Sequence, residues 1–128
     1  MDYTRAIKKY IELERSVLSS LDVNAISAVM NELGEARKRN ATIYIMGNGG
    51  SASTASHIVN DFSKGISEYL EQKFRFICLN DNIATVMAIA NDINYDAIFE
   101  FQLRGKVAKN DVVIGISDRK STRLNSSH

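Results

Sequence analysis

The sequence predicts an open α/β fold built on a parallel sheet. Three short runs rich in β-branched and aromatic residues, Thr42 to Met46, Arg75 to Leu79 and Asp111 to Ser117, are separated by stretches whose apolar residues recur at helical spacing. The last run, DVVIGIS, is almost continuously apolar, which suits a parallel sheet covered on both faces. A glycine cluster joins the first run directly to a helical pattern, and alternation of β and α units is the mark of this class.

Each element has its own justification. Near the start, Tyr3, Ile7, Tyr10, Ile11, Val17, Leu18 and Leu21 are spaced for a helix that runs to about Ser20, with Lys8, Lys9, Glu12 and Arg15 between them. Asp22 is suited to cap a second helix, whose stripe is Val23, Ile26, Val29, Met30 and Leu33 and whose end carries Lys38 and Arg39. Apolar stripes without chemistry mark a core or an oligomer seam. After the first strand, Ala55, Ile58, Val59 and Phe62 form the inner face of a helix, and Ser53, His57, Asp61 and Lys64 fall on another side. Lys64 to Lys73 reads as a surface connection to the second strand. Ile83 to Ala90 reads as a helix, and the pattern continues helically from Tyr95 to Val107.

At 128 residues, 45% apolar and 24% charged, the chain has the size and balance of one domain. Its longest apolar run, Val86 to Ala90, is far below the roughly 20 residues of a membrane span. The charged N-terminus has no apolar segment of the secretory kind, so a cytoplasmic protein is expected. The single cysteine, Cys78, lies in the apolar FICL run and is expected to be a buried structural thiol. From Asp118 to His128 the chain reads DRKSTRLNSSH, which lacks both apolar periods and resembles one reading frame of sequencing-library adapters. Without that tail, residues 1–117 carry thirteen basic and fourteen acidic side chains, a net charge of −1. No basic surplus remains to attract nucleic acid or an anionic membrane.

Four groups of residues could carry chemistry. In Gly47-Asn48-Gly49-Gly50-Ser51, closely spaced glycines before a helix let backbone N–H groups approach an anion, of which phosphate is the natural guest. A tight turn with Ser51 as N-cap fits the same residues equally well. Gly47, Gly49 and Ala52 also satisfy G-x-G-x-x-A, but the acid that would bind a ribose, Asp81, lies 29 residues beyond Ala52, and no nucleotide cofactor is expected. His57 and Asp61, four apart on one helix, have the spacing to hold a divalent metal or share acid/base work, and equally that of a solvated ion pair. Asn91 and Asp92 have the character either of a helix end capping the next helix or of a hydrogen-bonding pair for a polyol.

Taken together, GNGGSASTASH, NDF, AND and VVIGIS resemble the sugar isomerase (SIS) domain and, within it, the phosphoheptose isomerase group, over about residues 3 to 117. The resemblance implies a flavodoxin-like three-layer α/β sandwich with five parallel strands, of which this chain reaches the third, and a homotetramer whose sites draw on more than one subunit. It implies that Asn48, Gly49, Gly50 and Ser51 hold a sugar phosphate, that Asn91 and Asp92 contact the sugar, and that Ser117 opens a second phosphate loop. His57 matches a histidine that binds zinc in some members. Asp61 stands where the group usually has a catalytic, metal-binding glutamate, one methylene longer. The implied activity is aldose–ketose isomerisation of a sugar phosphate, with a non-catalytic phosphosugar-binding or protein-binding module as the alternative. The resemblance also implies downstream glutamine and histidine residues beyond the tail's start, so the 128-residue chain is expected to be inactive and poorly folded alone, with an unpaired strand edge. Reading the source locus across Ser117 tests this. An open frame continuing into a serine-rich loop is the expected result, and DRKSTRLNSSH followed by a genuine stop would overturn it.

Overall fold

A computed structural model of the chain describes residues 1–118. Two compact units are present, Met1–Glu32 and the part from Leu33 onward. In the first, helix α1 (Thr4–Ser19) is followed by the start of helix α2 (Val23–Lys38). The expected cap is in place: the Asp22 carboxylate accepts the Ala25 N–H at 3.0 Å. No residue of α1 is buried, and Ile7, Tyr10, Leu13, Val17 and Leu18 are all exposed. Their stripe therefore contributes nothing to a core among the described residues.

The second unit holds the sheet. Strands β1 (Thr42–Gly47), β2 (Arg75–Cys78) and β3 (Val112–Ile116) are all parallel, in the order β2-β1-β3. Helix α3 (Gly50–Asn60) connects β1 towards β2, while helices α4 (Ile83–Asp92) and α5 (Glu100–Leu103) lie between β2 and β3. Because the chain steps from β1 to one side and then back across it, right-handed crossovers put α3 and α4 on opposite faces. This makes an α/β sandwich of three layers.

The α2 helix ends where the core begins. Asn40 takes φ +58°, and the reversal is closed by Asn40 N–H to Arg37 O (3.0 Å) and Ala41 N–H to Ala36 O (2.9 Å). That double bond pattern around a left-handed residue turns the chain sharply into β1. Ala36, Ala41, Ile43, Ile45, Ala55, Phe76 and Cys78 form the buried cluster, with Ile58, Val59 and Phe62 of the helical run packed against it. Phe62 stacks on Phe76 and meets Phe74 edge to face, and the Arg37 guanidinium lies 5.6 Å from the Phe74 ring centre. Burial pushes the Cys78 thiol up from its ordinary value, as an inert structural thiol requires. On the other face Tyr44 is buried, but its register partners Ile77 and Val113 are 47% and 46% exposed. The expectation that β3 is covered on both faces is thus not met among the described residues.

Three further expectations are corrected. The segment after α3 does not leave helical backbone at Lys64. It continues as a π-helical turn over Asp61–Ile66 and a 3₁₀ turn over Ser67–Tyr69, because the buried Ser67 hydroxyl donates to the Phe62 carbonyl. The run from Tyr95 to Val107 is not one helix. It divides into a 3₁₀ turn (Tyr95–Ala97) and the four-residue α5, which stops before Gly105 at φ +76°. Asn91 and Asp92 end α4 but cap nothing after it, since the side-chain caps are Asn82, accepting from Thr85 N–H at 3.1 Å, and Asn94, accepting from Ala97 N–H at 2.9 Å.

The starts of β1 and β3 are joined by one carboxylate. Asp111 Oδ1 accepts the Thr42 N–H at 2.9 Å and Oδ2 accepts the Ala108 N–H at 2.8 Å. These two bonds, that to Ala108 first, hold the Asp111 carboxyl below its ordinary value, with Arg75 and Arg39 adding a smaller effect. A lowered folded-state value means the stabilisation is complete above the unfolded value near 3.9 and is lost as pH falls through the folded one. Asp111→Ala is expected to lower unfolding free energy by about 1 kcal/mol at pH 7, the gain from charge-assisted bonds being reduced by solvent screening. Denaturant melts of the complete protein at pH 7 and at pH 2.5 check this, because the difference between wild type and variant shrinks in acid.

Candidate active site

In an open parallel sheet the binding crevice lies beyond the carboxyl ends of the strands, where successive connections depart to opposite sides. With the order β2-β1-β3, that switch point falls between β1 and β3. Gly47 pairs with Ile116, so the glycine loop after β1 and Ser117 after β3 emerge side by side. The loop carries the N-terminus of α3, whose first turn has no acidic residue to oppose an anion.

The loop's geometry depends on two glycines. A Cβ on Gly47 would lie 2.7 Å from both the carbonyl carbon and the Cβ of Ser51, so the strand can approach the helix only without a side chain there. Gly49 adopts φ +57°, a left-handed value that side chains disfavour. The Ser51 N–H bonds Asn48 O at 3.0 Å, and the Ala52 and Ser53 N–H groups bond Gly49 O at 3.1 and 3.3 Å. Gly49 is therefore the helix cap, and the reading of Ser51 as N-cap is corrected: Ser51 lies inside the first turn because the left-handed glycine, not a hydroxyl, turns the chain. Ahead of these bonds stand the Gly49 and Gly50 N–H groups, with no acceptor among the described residues and with open space where side chains would be. Two such donors at a helix start are suited to an anion.

Two residues that the sequence did not single out fasten this loop. The Asn80 carboxamide, beyond β2, accepts the Gly47 N–H at 3.1 Å and donates to Gly47 O at 2.7 Å. The Tyr95 hydroxyl donates to Asn48 Oδ1 at 2.9 Å. Their partners lie 33 and 47 residues away, so no local spacing announces them. Asn91 and Asp92 are exposed at the end of α4, bonded to each other at 2.9 Å, three residues before the turn that carries Tyr95.

His57 and Asp61 are also neighbours, Nε2 to Oδ2 at 3.3 Å, with side chains 72% and 53% exposed. They lie on the outer side of the α3 segment, opposite buried Ala55, about two turns and more beyond Gly50. As a metal site the pair is incomplete. A catalytic zinc takes three protein ligands, and no group of three or more His, Cys, Asp or Glu able to hold a metal occurs among the described residues.

No family model matches the chain. Relatives do. It is 30% identical over 112 residues to a probable phosphoheptose isomerase of Thermoplasma acidophilum, an alignment covering 86% of this chain and 60% of that one. It is 35% identical over 104 residues to a phosphoheptose isomerase of Thermodesulfovibrio yellowstonii, covering 80% and 50%. The chain is homologous to the phosphoheptose isomerases. A solved phosphoheptose isomerase from Francisella tularensis superposes with a TM-score of 0.80 at 19% identity, over 91% of this chain and 62% of that structure, which supports the same α/β fold. Against these phosphoheptose isomerases the chain spans about half to three-fifths of their length.

The crowding at Gly47 separates the glycines of the chain by experiment. Gly47→Ala is expected to cost about 1–3 kcal/mol, because backbone atoms of Ser51 must move. Gly34→Ala, inside α2 with open space around it, is expected to gain about 0.5–1 kcal/mol. Urea melts of the two variants in the complete protein decide the ranking, and equal midpoints would count against the contact.

Proposed function

We propose that the complete protein interconverts the aldose and ketose forms of a sugar phosphate, with sedoheptulose 7-phosphate as the substrate. The observation that carries this reading is the pair of free N–H groups at Gly49 and Gly50, set at the switch point of a sheet homologous to phosphoheptose isomerases. This pair, with Asn48, Ser51 and Ser117 around it, takes the phosphate. Asn91 and Asp92 supply an amide and a carboxylate for sugar hydroxyls. Asp61, supplied by a neighbouring copy where one chain's helix is too long for the sugar, takes the proton from the carbon beside the carbonyl while the downstream histidine that the resemblance implies protonates the carbonyl oxygen. The enediol then gives its other hydroxyl proton back to that histidine as Asp61 returns the first proton to the former carbonyl carbon. His57, 3.3 Å from Asp61, stabilises the oxyanion that develops.

Zinc fits this chain's own residues only in part, since His57 and Asp61 provide two ligands and the rest must come from outside the described residues. No step above is routed through it. The exposed stripe of α1 and early α2 supports a homo-oligomer, a tetramer as the resemblance implies. No helix among the described residues is long and apolar enough to cross a membrane.

Asp61→Asn in the complete protein is expected to lower turnover of sedoheptulose 7-phosphate at least about 100-fold while leaving phosphosugar binding within a few fold. Unchanged turnover would remove Asp61 from the reaction. Phosphosugar binding by the wild-type protein with no product formed would instead favour a regulatory, non-catalytic module.

A further inference from the structure

Asn48 is exposed at the mouth of the crevice, where its carboxamide has two ends of opposite character, an accepting Oδ1 and a donating Nδ2. Left to solvent, such a group rotates and flips between ends. Here it does not stand alone. The Tyr95 hydroxyl donates to Oδ1 at 2.9 Å, which assigns the accepting end to tyrosine and leaves both Nδ2 hydrogens for a ligand. Tyr95 is itself 60% exposed, so the bond joins two groups that water would satisfy equally well, and its contribution to folding is small. The bond's effect is on orientation.

The surrounding structure holds both partners in place. Behind Asn48, the Asn80 amide clasps the N–H and C=O of Gly47, fixing the backbone from which the Asn48 side chain departs. Behind Tyr95, the Asn94 side chain accepts the Ala97 N–H at 2.9 Å and closes the 3₁₀ turn that carries the tyrosine. The turn follows α4 by two residues, so the hydroxyl links the segment of Asn91 and Asp92 to the glycine loop.

We propose that Tyr95 is a positioning residue that sets the Asn48 carboxamide with its donor end towards the acceptor oxygens of a phosphosugar. This rests on the phosphosugar reading above and adds to it a residue that acts without touching the ligand. Tyr95→Phe removes the hydroxyl and keeps the ring. In the complete protein it is expected to weaken sedoheptulose 7-phosphate binding about five- to tenfold by calorimetry, the worth of one oriented hydrogen bond, with the thermal midpoint unchanged.

The decisive comparison is a cycle with Asn48→Ala. If Tyr95 acts through Asn48, Tyr95→Phe costs affinity in the wild type and nothing further in the Asn48→Ala background. Equal affinity of Tyr95→Phe and wild type, or losses that add in the double variant, would overturn the proposal while leaving the phosphosugar reading intact. Failure of the wild type to bind the sugar phosphate would overturn both.

Discussion

Between β1 and α3 there is room at position 47 for a hydrogen and nothing larger, and the rest of the site depends on that closeness. Because the strand meets the helix without a side chain between them, the first turn of α3 begins three residues after the sheet ends. The chain must then reverse within Asn48 and Gly49, which only a left-handed residue achieves, and Gly49 supplies it. The donors of Gly49 and Gly50, like those at the start of any helix, have no intrahelical acceptor. Asn80 completes the arrangement by bonding both backbone groups of Gly47, so the residue that has no side chain is held by its main chain alone.

What could be read from the sequence was local or periodic. The three strands were legible because β-branched runs are short and bounded by polar residues, and Asp22 was legible as a cap because its partner is three residues away. The inner face of α3 followed from spacing, and Ala55 is indeed fully buried with Ile58, Val59 and Phe62 against the core. The misreadings have one cause in common. At Ser67, Gly49 and Asn94 a single side-chain bond or backbone angle decides the path, and apolar periodicity carries no record of either. The site shows the same limit: its loop could be found in the sequence, but Asn80 and Tyr95 reach it from distant segments and only the assembled sheet brings them near.

Exposure divides the molecule by role. Buried apolar side chains gather around β1, whereas α1, the outer face of α3 and one face of the sheet present apolar or chemically active groups to solvent. For Ile77 and Val113 the apolar side chains lie in line with buried Tyr44, so one face of a single sheet is dry at its centre and wet at its flanks. The hydrophobic contribution of the described residues is therefore concentrated in one strand and the elements that touch it, and the central strand is the element whose loss the fold would tolerate least.

The helical run that starts at Gly50 carries both the open N–H groups of the glycine loop and, at its end, the His57–Asp61 pair, and a helix is a stiff rod of fixed rise. Asp61 lies eleven positions beyond Gly50, which sets about 16 Å between them along the axis, independent of any side-chain rotamer. The α3 helix thus acts as a ruler. A ligand gripped at one mark is offered the carboxylate at the other only if it spans that length, or if it meets the Asp61 of a neighbouring copy. One residue added between the marks would turn the pair about 100° around the rod, so the length of this helix is as much a part of the chemistry as the residues on it.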